Sequence, residues 1–352
     1  MPRIFVVYTT EIRGTSSAPI NRWTGAEAAH TVTHVRVPRS AGLRACTLVV
    51  VIALFAGGCG SGASSLALHP SGTLPVESGL ATTVDTQTFV DTHHTTAADG
   101  PFPELPSRTL VTTIVSPTGQ GGPFPLVVFS HGFTATPADY LPLLRQWAAA
   151  GYVVAAPAFP LTNGHAPGGP TQNDVVNQPS DVSFVITSVL ALNNDPTSPL
   201  HGLVDGTRIG VAGHSAGAAT TLGVALDTCC RDIRIQAAVI LSGGAVTFPF
   251  GAYPAPDPTP ILFLHGTDDK SIAFGSGLAA YHDAHPPKFF VTLNGSGHTD
   301  PYLGNSTKAD EVVTTATIDF FDRYLKDSPV ALQRLQRDAN VAGTADLQDT
   351  QT

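Results

Sequence analysis

Between Thr207 and Thr221 the chain reads TRIGVAGHSAGAATT. A short apolar run (Ile209, Val211, Ala212) enters Gly213-His214-Ser215-Ala216-Gly217 and leaves directly into small helix formers. That is the order of a strand, a tight turn and a helix. A serine at the centre of G-x-S-x-G adopts strained backbone angles. The positions two away on either side must be nearly free of side chain so that strand and helix can approach. Gly213 and Gly217 meet that need. The turn lifts the Ser215 hydroxyl to a helix N-terminus, where free N–H groups favour developing negative charge. The pattern is short, so its meaning depends on what the rest of the chain brings beside it.

Strand and helix signals alternate on both sides of this turn. Thr86 to Asp91 and Arg108 to Ser116 read as strands, and Pro125 to Ser130 is a continuous apolar run of the kind buried on both faces of a sheet. Helical spacing follows over Pro137 to Ala150 (Tyr140, Leu144, Trp147, Ala148), stopped by Gly151, and Tyr152 to Ala156 is the next buried strand. A Gly/Pro-rich loop, Ala158 to Asn177, leads to a helix over Asp181 to Leu192. Beyond the central turn come a strand at Ala237 to Leu241, a loop at Ser242 to Pro260, and a strand at Ile261 to His265. Then follow a helix over Gly275 to His282, a strand at Lys288 to Leu293 and a helix over Asp310 to Leu325. The alternation predicts an α/β fold with a mostly parallel central sheet of about eight strands, helices on both faces and no large lid domain.

In a parallel sheet, functional groups gather at the carboxyl ends of the strands. Ile261 to His265 runs into Gly266-Thr267-Asp268-Asp269, and Lys288 to Leu293 runs into Asn294-Gly295-Ser296-Gly297-His298. Serine, aspartate and histidine therefore follow one another, each at the end of its own strand. A neutral serine hydroxyl needs an imidazole to take its proton, a task for His298, and a carboxylate must orient that imidazole, a task that Asp268 or Asp269 can fill. Two aimed N–H groups must hold the tetrahedral oxyanion, and these are expected from Ala216 and, in the loop Ser130-His131-Gly132-Phe133, from Phe133. His131, His214 and His265 read as structural histidines. The pair His93-His94 reads as an exposed turn.

From about Thr86 to Leu325 the chain resembles the α/β-hydrolase superfamily. GPFPLVVFSHGF (Gly122 to Phe133), GHSAG and HGTDD (His265 to Asp269) are similar to a secreted bacterial branch of it. That branch is related to dienelactone hydrolases, platelet-activating-factor acetylhydrolases, chlorophyllase-like esterases and cutinase-like polyester hydrolases. The G-x-x-D pattern of the superfamily favours Asp269 as the acid. The resemblance implies a cofactor-free, metal-free serine esterase acting on short- to medium-chain esters through an acyl-enzyme. A polyester or cutin hydrolase or a lipase on the same triad is one alternative, and a non-catalytic surface binding protein of the same fold is another. Ala216 stands where the polyester hydrolases carry Met, and Ser242 to Pro260 has no tryptophan. Phe248, Phe250 and Tyr253 are thus the candidates for lining an acyl site. The loops Ala158 to Asn177, with Phe159 and Leu161, and Ser242 to Pro260 are expected to wall an open cleft.

The ends of the chain read differently. Arg36, Arg39 and Arg44 precede an apolar run from Cys46 to Ala56 too short to span a bilayer, and Gly57-Gly58-Cys59 follows. Residues 36–58 thus resemble a lipoprotein-type signal peptide with Cys59 as the lipidated residue, which implies export to the cell envelope. In this division, residues 1–35 are an upstream extension from a misplaced start, 59–84 a flexible tether, 85–326 the catalytic domain and 327–352 a polar tail. The net charge of −9 argues against nucleic acid as a partner. The expected partners are a small or polymeric ester and, through Cys59 alone, a membrane. Of the four cysteines, Cys229 and Cys230 belong to the fold. As neighbours they either close a strained ring or stay as two thiols, and cysteines so placed make no zinc site.

Overall fold

Apolar runs without polar alternation have to be covered on both faces, and the strands that carry them form the middle of the sheet. A computed structural model describes residues 79–119 and 121–352. Its nine strands are β1 (Thr82–Asp91), β2 (Arg108–Pro117), β3 (Phe124–Ser130), β4 (Val153–Ala158), β5 (Val204–His214), β6 (Ile235–Leu241), β7 (Ile261–Gly266), β8 (Lys288–Leu293) and β9 (Ala345–Thr350). They lie in the order β1-β2-β4-β3-β5-β6-β7-β8-β9. β4, β3, β5, β6, β7 and β8 pair in parallel, and β1, β2 and β9 are antiparallel additions at the two edges. The chain thus has an α/β-hydrolase-like fold with a mixed, mostly parallel sheet.

The helices are α1 (Leu141–Ala149), α2 (Gln178–Asn194), α3 (Ala216–Leu226), α4 (Phe274–Asp283), α5 (Lys308–Leu325) and α6 (Ala331–Asp338). Period-two alternation along each strand sends side chains to two separate cores. Val127 and Phe129 of β3 join Leu144 and Trp147 of α1, Val313 and Phe320 of α5 and Leu335 of α6 on one face. Leu126 and Val128 join Val182 and Val185 of α2, Leu222 of α3 and Tyr281 of α4 on the other. Trp147 is fully buried, and its indole N–H donates to Thr317 Oγ1 at 2.8 Å, tying α1 to α5. On the opposite side the Arg108 guanidinium is buried between Asp174 and Asp181. It donates to Asp174 at 2.8–2.9 Å and to Asp181 at 2.6–2.7 Å, pinning the end of the 159–177 loop and the start of α2 to β2.

Two boundaries differ from the sequence expectation. β1 begins at Thr82, so the last residues assigned to the tether belong to the sheet, with Thr82 opposite Pro117. Residues 327–352 are not a polar tail. They form α6, whose Ala331 and Leu335 are buried, and β9, which pairs with all of β8 from Lys288↔Thr350 to Leu293↔Ala345. An edge strand needs only a thin apolar face, here Ala345 and Leu347, and its outer face is solvated, so its composition looks like a tail. The upstream extension, the signal segment, Cys59 and residues 59–78 lie outside the described residues.

Candidate active site

β5 ends at His214, and Ser215 at the turn has φ 56° and ψ −117°, outside the ordinary regions for a side-chain-bearing residue. The strain is held by close approach on both sides. A Cβ on Gly213 would run into the Gly217 carbonyl, and one on Gly217 would run into the carbonyl of Ser130. α3 starts at Ala216, so the half-buried Ser215 sits at its N-terminus.

Ser215 Oγ is 2.8 Å from His298 Nε2, and His298 Nδ1 is 2.7 Å from Asp269 Oδ2. A carboxylate only accepts, so the His298 proton sits on Nδ1 and Nε2 is left to accept from the serine. Asp269 is 7% exposed, and its Oδ1 accepts the N–H groups of Ser271 and Ile272 at 2.8 and 2.9 Å. Its Oδ2 also lies 3.2 Å from His265 Nε2. Burial opposes ionisation of this carboxyl, but the hydrogen bonds from His265, His298 and Ile272 outweigh it and hold the group well below the usual carboxylate range. Asp268, the other aspartate at this turn, is exposed, with Lys270 at 4.0 Å as its ion-pair partner.

The remaining histidines fix the loops around the serine. His214 Nε2 faces the His298 carbonyl at 2.7 Å and must carry the proton, so its Nδ1 accepts from the Tyr140 hydroxyl at 2.8 Å. The Gly132 N–H donates in turn to the Tyr140 oxygen at 3.3 Å. One buried imidazole therefore links the loop that carries His298 to the loop that carries Phe133, and burial pushes its pKa down to about 3. His131 donates from Nδ1 to the Gly132 carbonyl at 2.8 Å and accepts the Phe159 N–H on Nε2 at 3.1 Å, with its pKa lowered to about 4 by burial. Neither the Phe133 N–H nor the Ala216 N–H has an acceptor among the described residues. A Cβ on Gly132 would come within 3.1 Å of both His214 Nδ1 and the Tyr140 hydroxyl and 3.4 Å of Ser215 Cβ, so only glycine brings this loop so near.

A serine with this base and carboxylate, beside two unpaired N–H groups, can carry out acyl transfer. Residues 84–244 match the family model described as chlorophyllase. Over that span the chain is similar to the chlorophyllase family, an α/β-hydrolase family of esterases. The chlorophyllase match takes in the Phe133 loop and the Ser215 turn, while Asp269 and His298 lie beyond it. No curated protein matches the chain.

The walls of the site depart from the sequence expectation. The cavity beside Ser215, about 280 Å³, is lined by Phe133, Thr134, Ala135 and Asp139 on one side and by Thr299 and Leu303 on the other. Phe248, Phe250 and Tyr253 do not line it. Phe248 is 2% exposed and packs its ring on Gly223 of α3, Phe250 projects fully into solvent, and the Tyr253 hydroxyl donates to the Ala280 carbonyl at 2.7 Å. Phe159 and Leu161 are buried as well, Phe159 against His131, and do not wall a cleft. Hydrophobicity marks a residue for burial but does not say which side of a loop it is buried on. The cue that sequence reasoning missed is proximity: Thr134, Ala135 and Asp139 directly follow the Phe133 turn, and Thr299 directly follows His298.

Proposed function

We propose that this protein is a serine carboxylic-ester hydrolase that works through an acyl-enzyme, with Ser215 as nucleophile, His298 as general base and Asp269 as the orienting carboxylate. The observation that carries the reading is the unbroken hydrogen-bonded path from Ser215 Oγ through His298 to Asp269. Ser215 Oγ attacks the ester carbonyl carbon while its proton passes to His298 Nε2, and Asp269 stabilises the imidazolium that forms. The oxyanion accepts from the Phe133 and Ala216 N–H groups. His298 then returns the proton to the departing alcohol. Water, activated by the same imidazole, releases the acid and restores Ser215.

The small, open cavity and its short apolar walls support short- to medium-chain acyl esters as substrates. With Phe248, Phe250 and Tyr253 turned elsewhere, Phe133 is the one expected aromatic substitute left along the cavity, which speaks against a two-sided clamp for aromatic polyesters. The signal-like segment supports action outside the cytoplasm, with Cys59 as the anchor. Treatment with a fluorophosphonate, followed by intact-protein mass spectrometry and peptide mapping, tests the proposal. The expected result is one adduct, on Ser215, with loss of p-nitrophenyl butyrate hydrolysis in proportion to labelling. A protein that hydrolyses no ester and takes up no label would instead be a binding module on this fold.

A further inference from the structure

Away from Ser215, the segment after α3 brings together three groups that the ester chemistry does not use. Asp227, Cys229 and Cys230 each present a ligand atom within 4.8 Å of the others. The two cysteines are joined as a vicinal disulfide and line a cavity of about 350 Å³, which His93, His94 and Arg234 also line. Asp227 is 2% exposed, and its Oδ1 accepts the Cys229 N–H at 3.0 Å. Its Oδ2 has no hydrogen-bond donor, and no cation pairs with the side chain among the described residues. A nearly buried carboxylate oxygen that no donor or cation engages is free to serve as a metal ligand. The loop above leaves no slack: a Cβ on Gly251 would collide with the Asp227 carboxylate and approach Cys229 Cβ at 2.9 Å.

We propose that, once the cysteine pair is reduced, Asp227, Cys229 and Cys230 form a site for a thiophilic divalent cation of the Zn²⁺ and Cd²⁺ class. The disulfide has no thiolate to offer, so the oxidised protein lacks the site. A small dithiol reductant opens it. One reductant thiolate attacks a protein sulfur, the S–S bond breaks, and the mixed disulfide is resolved by the reductant's second thiol. Two electrons and two protons end on Cys229 and Cys230, and the reductant leaves as its own disulfide. Cation binding then releases both thiol protons to solvent and gives an S₂O set with the Asp227 carboxylate. Zinc-type bonds of about 2.3 Å to sulfur, arranged tetrahedrally, separate ligand atoms by roughly 3.8 Å. The Asp227 carboxylate already lies within 4.8 Å of both sulfurs, and reduction lets the two sulfurs part from bonding distance toward that spacing. Three protein ligands leave a fourth position open, on the side of the cavity that Cys229 and Cys230 line. Counting cysteines alone gives no zinc site, because the third ligand is a carboxylate, that of Asp227 two residues before Cys229.

The test uses the full chain with Cd²⁺ as probe, following the ultraviolet thiolate-to-cadmium charge-transfer band during titration with and without prior dithiol reduction. Cys229→Ser/Cys230→Ser serves as the control. It retains Cys46 and Cys59, so any metal these take is subtracted. The expected result is one additional equivalent of Cd²⁺ in the reduced wild type, none in the oxidised protein, and binding weaker by about tenfold or more in Asp227→Asn. Circular dichroism and unchanged p-nitrophenyl butyrate hydrolysis show that the variants are folded. Reduced wild type that binds no more Cd²⁺ than the double variant would overturn the site. Unaltered affinity in Asp227→Asn would overturn the proposed ligand set.

Discussion

Ser215 is held at φ 56° by its neighbours, and its hydroxyl is aimed by that strain toward His298. Ser215→Ala and His298→Ala should each lower kcat/KM by about 10⁴-fold or more, because such groups act as a unit. Asp269→Asn should come close to that loss, since it removes the anion that fixes the His298 tautomer. Asp268→Asn, at an exposed position, should change kcat/KM less than about threefold on the same scale. If Asp268→Asn were the more damaging of the two, with the circular dichroism spectrum intact, the orienting acid would be Asp268. His214 tests the linkage between the loops. Its removal takes the donor from the His298 carbonyl and the acceptor from the Tyr140 O–H, at about 1–3 kcal/mol for each buried group. His214→Ala should therefore lower both the thermal midpoint and the rate of fluorophosphonate labelling. An unchanged labelling rate would show that His214 does not position His298.

Among the elements, α6 and β9 are where composition and structure part. Ending the chain after Lys326 uncovers the full length of β8 and the apolar ground on which Leu335 and Ala345 pack. The expected outcome is insoluble protein or a midpoint lower by about 10 °C or more, at about 2–4 °C for each kcal/mol lost. A truncated protein as stable as the whole would return these residues to the status of a tail. The α5–α6 contact also carries a pH dependence. Arg334 donates to Asp319 Oδ1, while Asp319 Oδ2 is buried without a partner. Burial, only partly offset by Arg334 and reinforced by the neighbouring Asp338, pushes the Asp319 pKa up to about 7. A carboxyl with a raised folded pKa binds its proton more tightly in the folded chain. Its contribution to stability is therefore complete below the ordinary value of about 4 and is lost as pH rises toward 7. Thermal midpoints across that window should fall more steeply in the wild type than in Asp319→Asn, and equal slopes would remove Asp319 from the account.

For the whole molecule, an open cavity of about 280 Å³, with no lid domain above it among the described residues, sets the expected substrate range. Each methylene buried along Phe133, Ala135 and Leu303 should contribute about 0.8 kcal/mol, or roughly fourfold in kcat/KM, until the acyl chain leaves the walls. Across p-nitrophenyl esters the specificity constant should climb from acetyl through butyryl to about hexanoyl and then level or fall. A rise that continued to palmitoyl, or a jump in rate at the substrate's solubility limit, would mark a lipase instead.

What the sequence determined by itself is the order and type of the central elements and the identity of the residues at their carboxyl ends. Ser215, Asp269 and His298 were legible as candidates because each lies in the loop or turn that follows a buried strand, and in a parallel sheet those strand ends share one edge. The same local logic marked Phe133 and Ala216, since each adjoins a turn whose glycines admit close approach. Only the tertiary structure decided how the chain closes around that edge. That Asp269 and not Asp268 lies against the His298 imidazole depends on a contact between segments 29 residues apart. Phe248, Phe250 and Tyr253 went to three different environments because apolar character specifies burial without direction, and loop direction is set by packing against α3 and α4. β9 became a strand because β8 offered it an unpaired edge. These outcomes rest on long-range contacts, and no short window of the chain contains both partners.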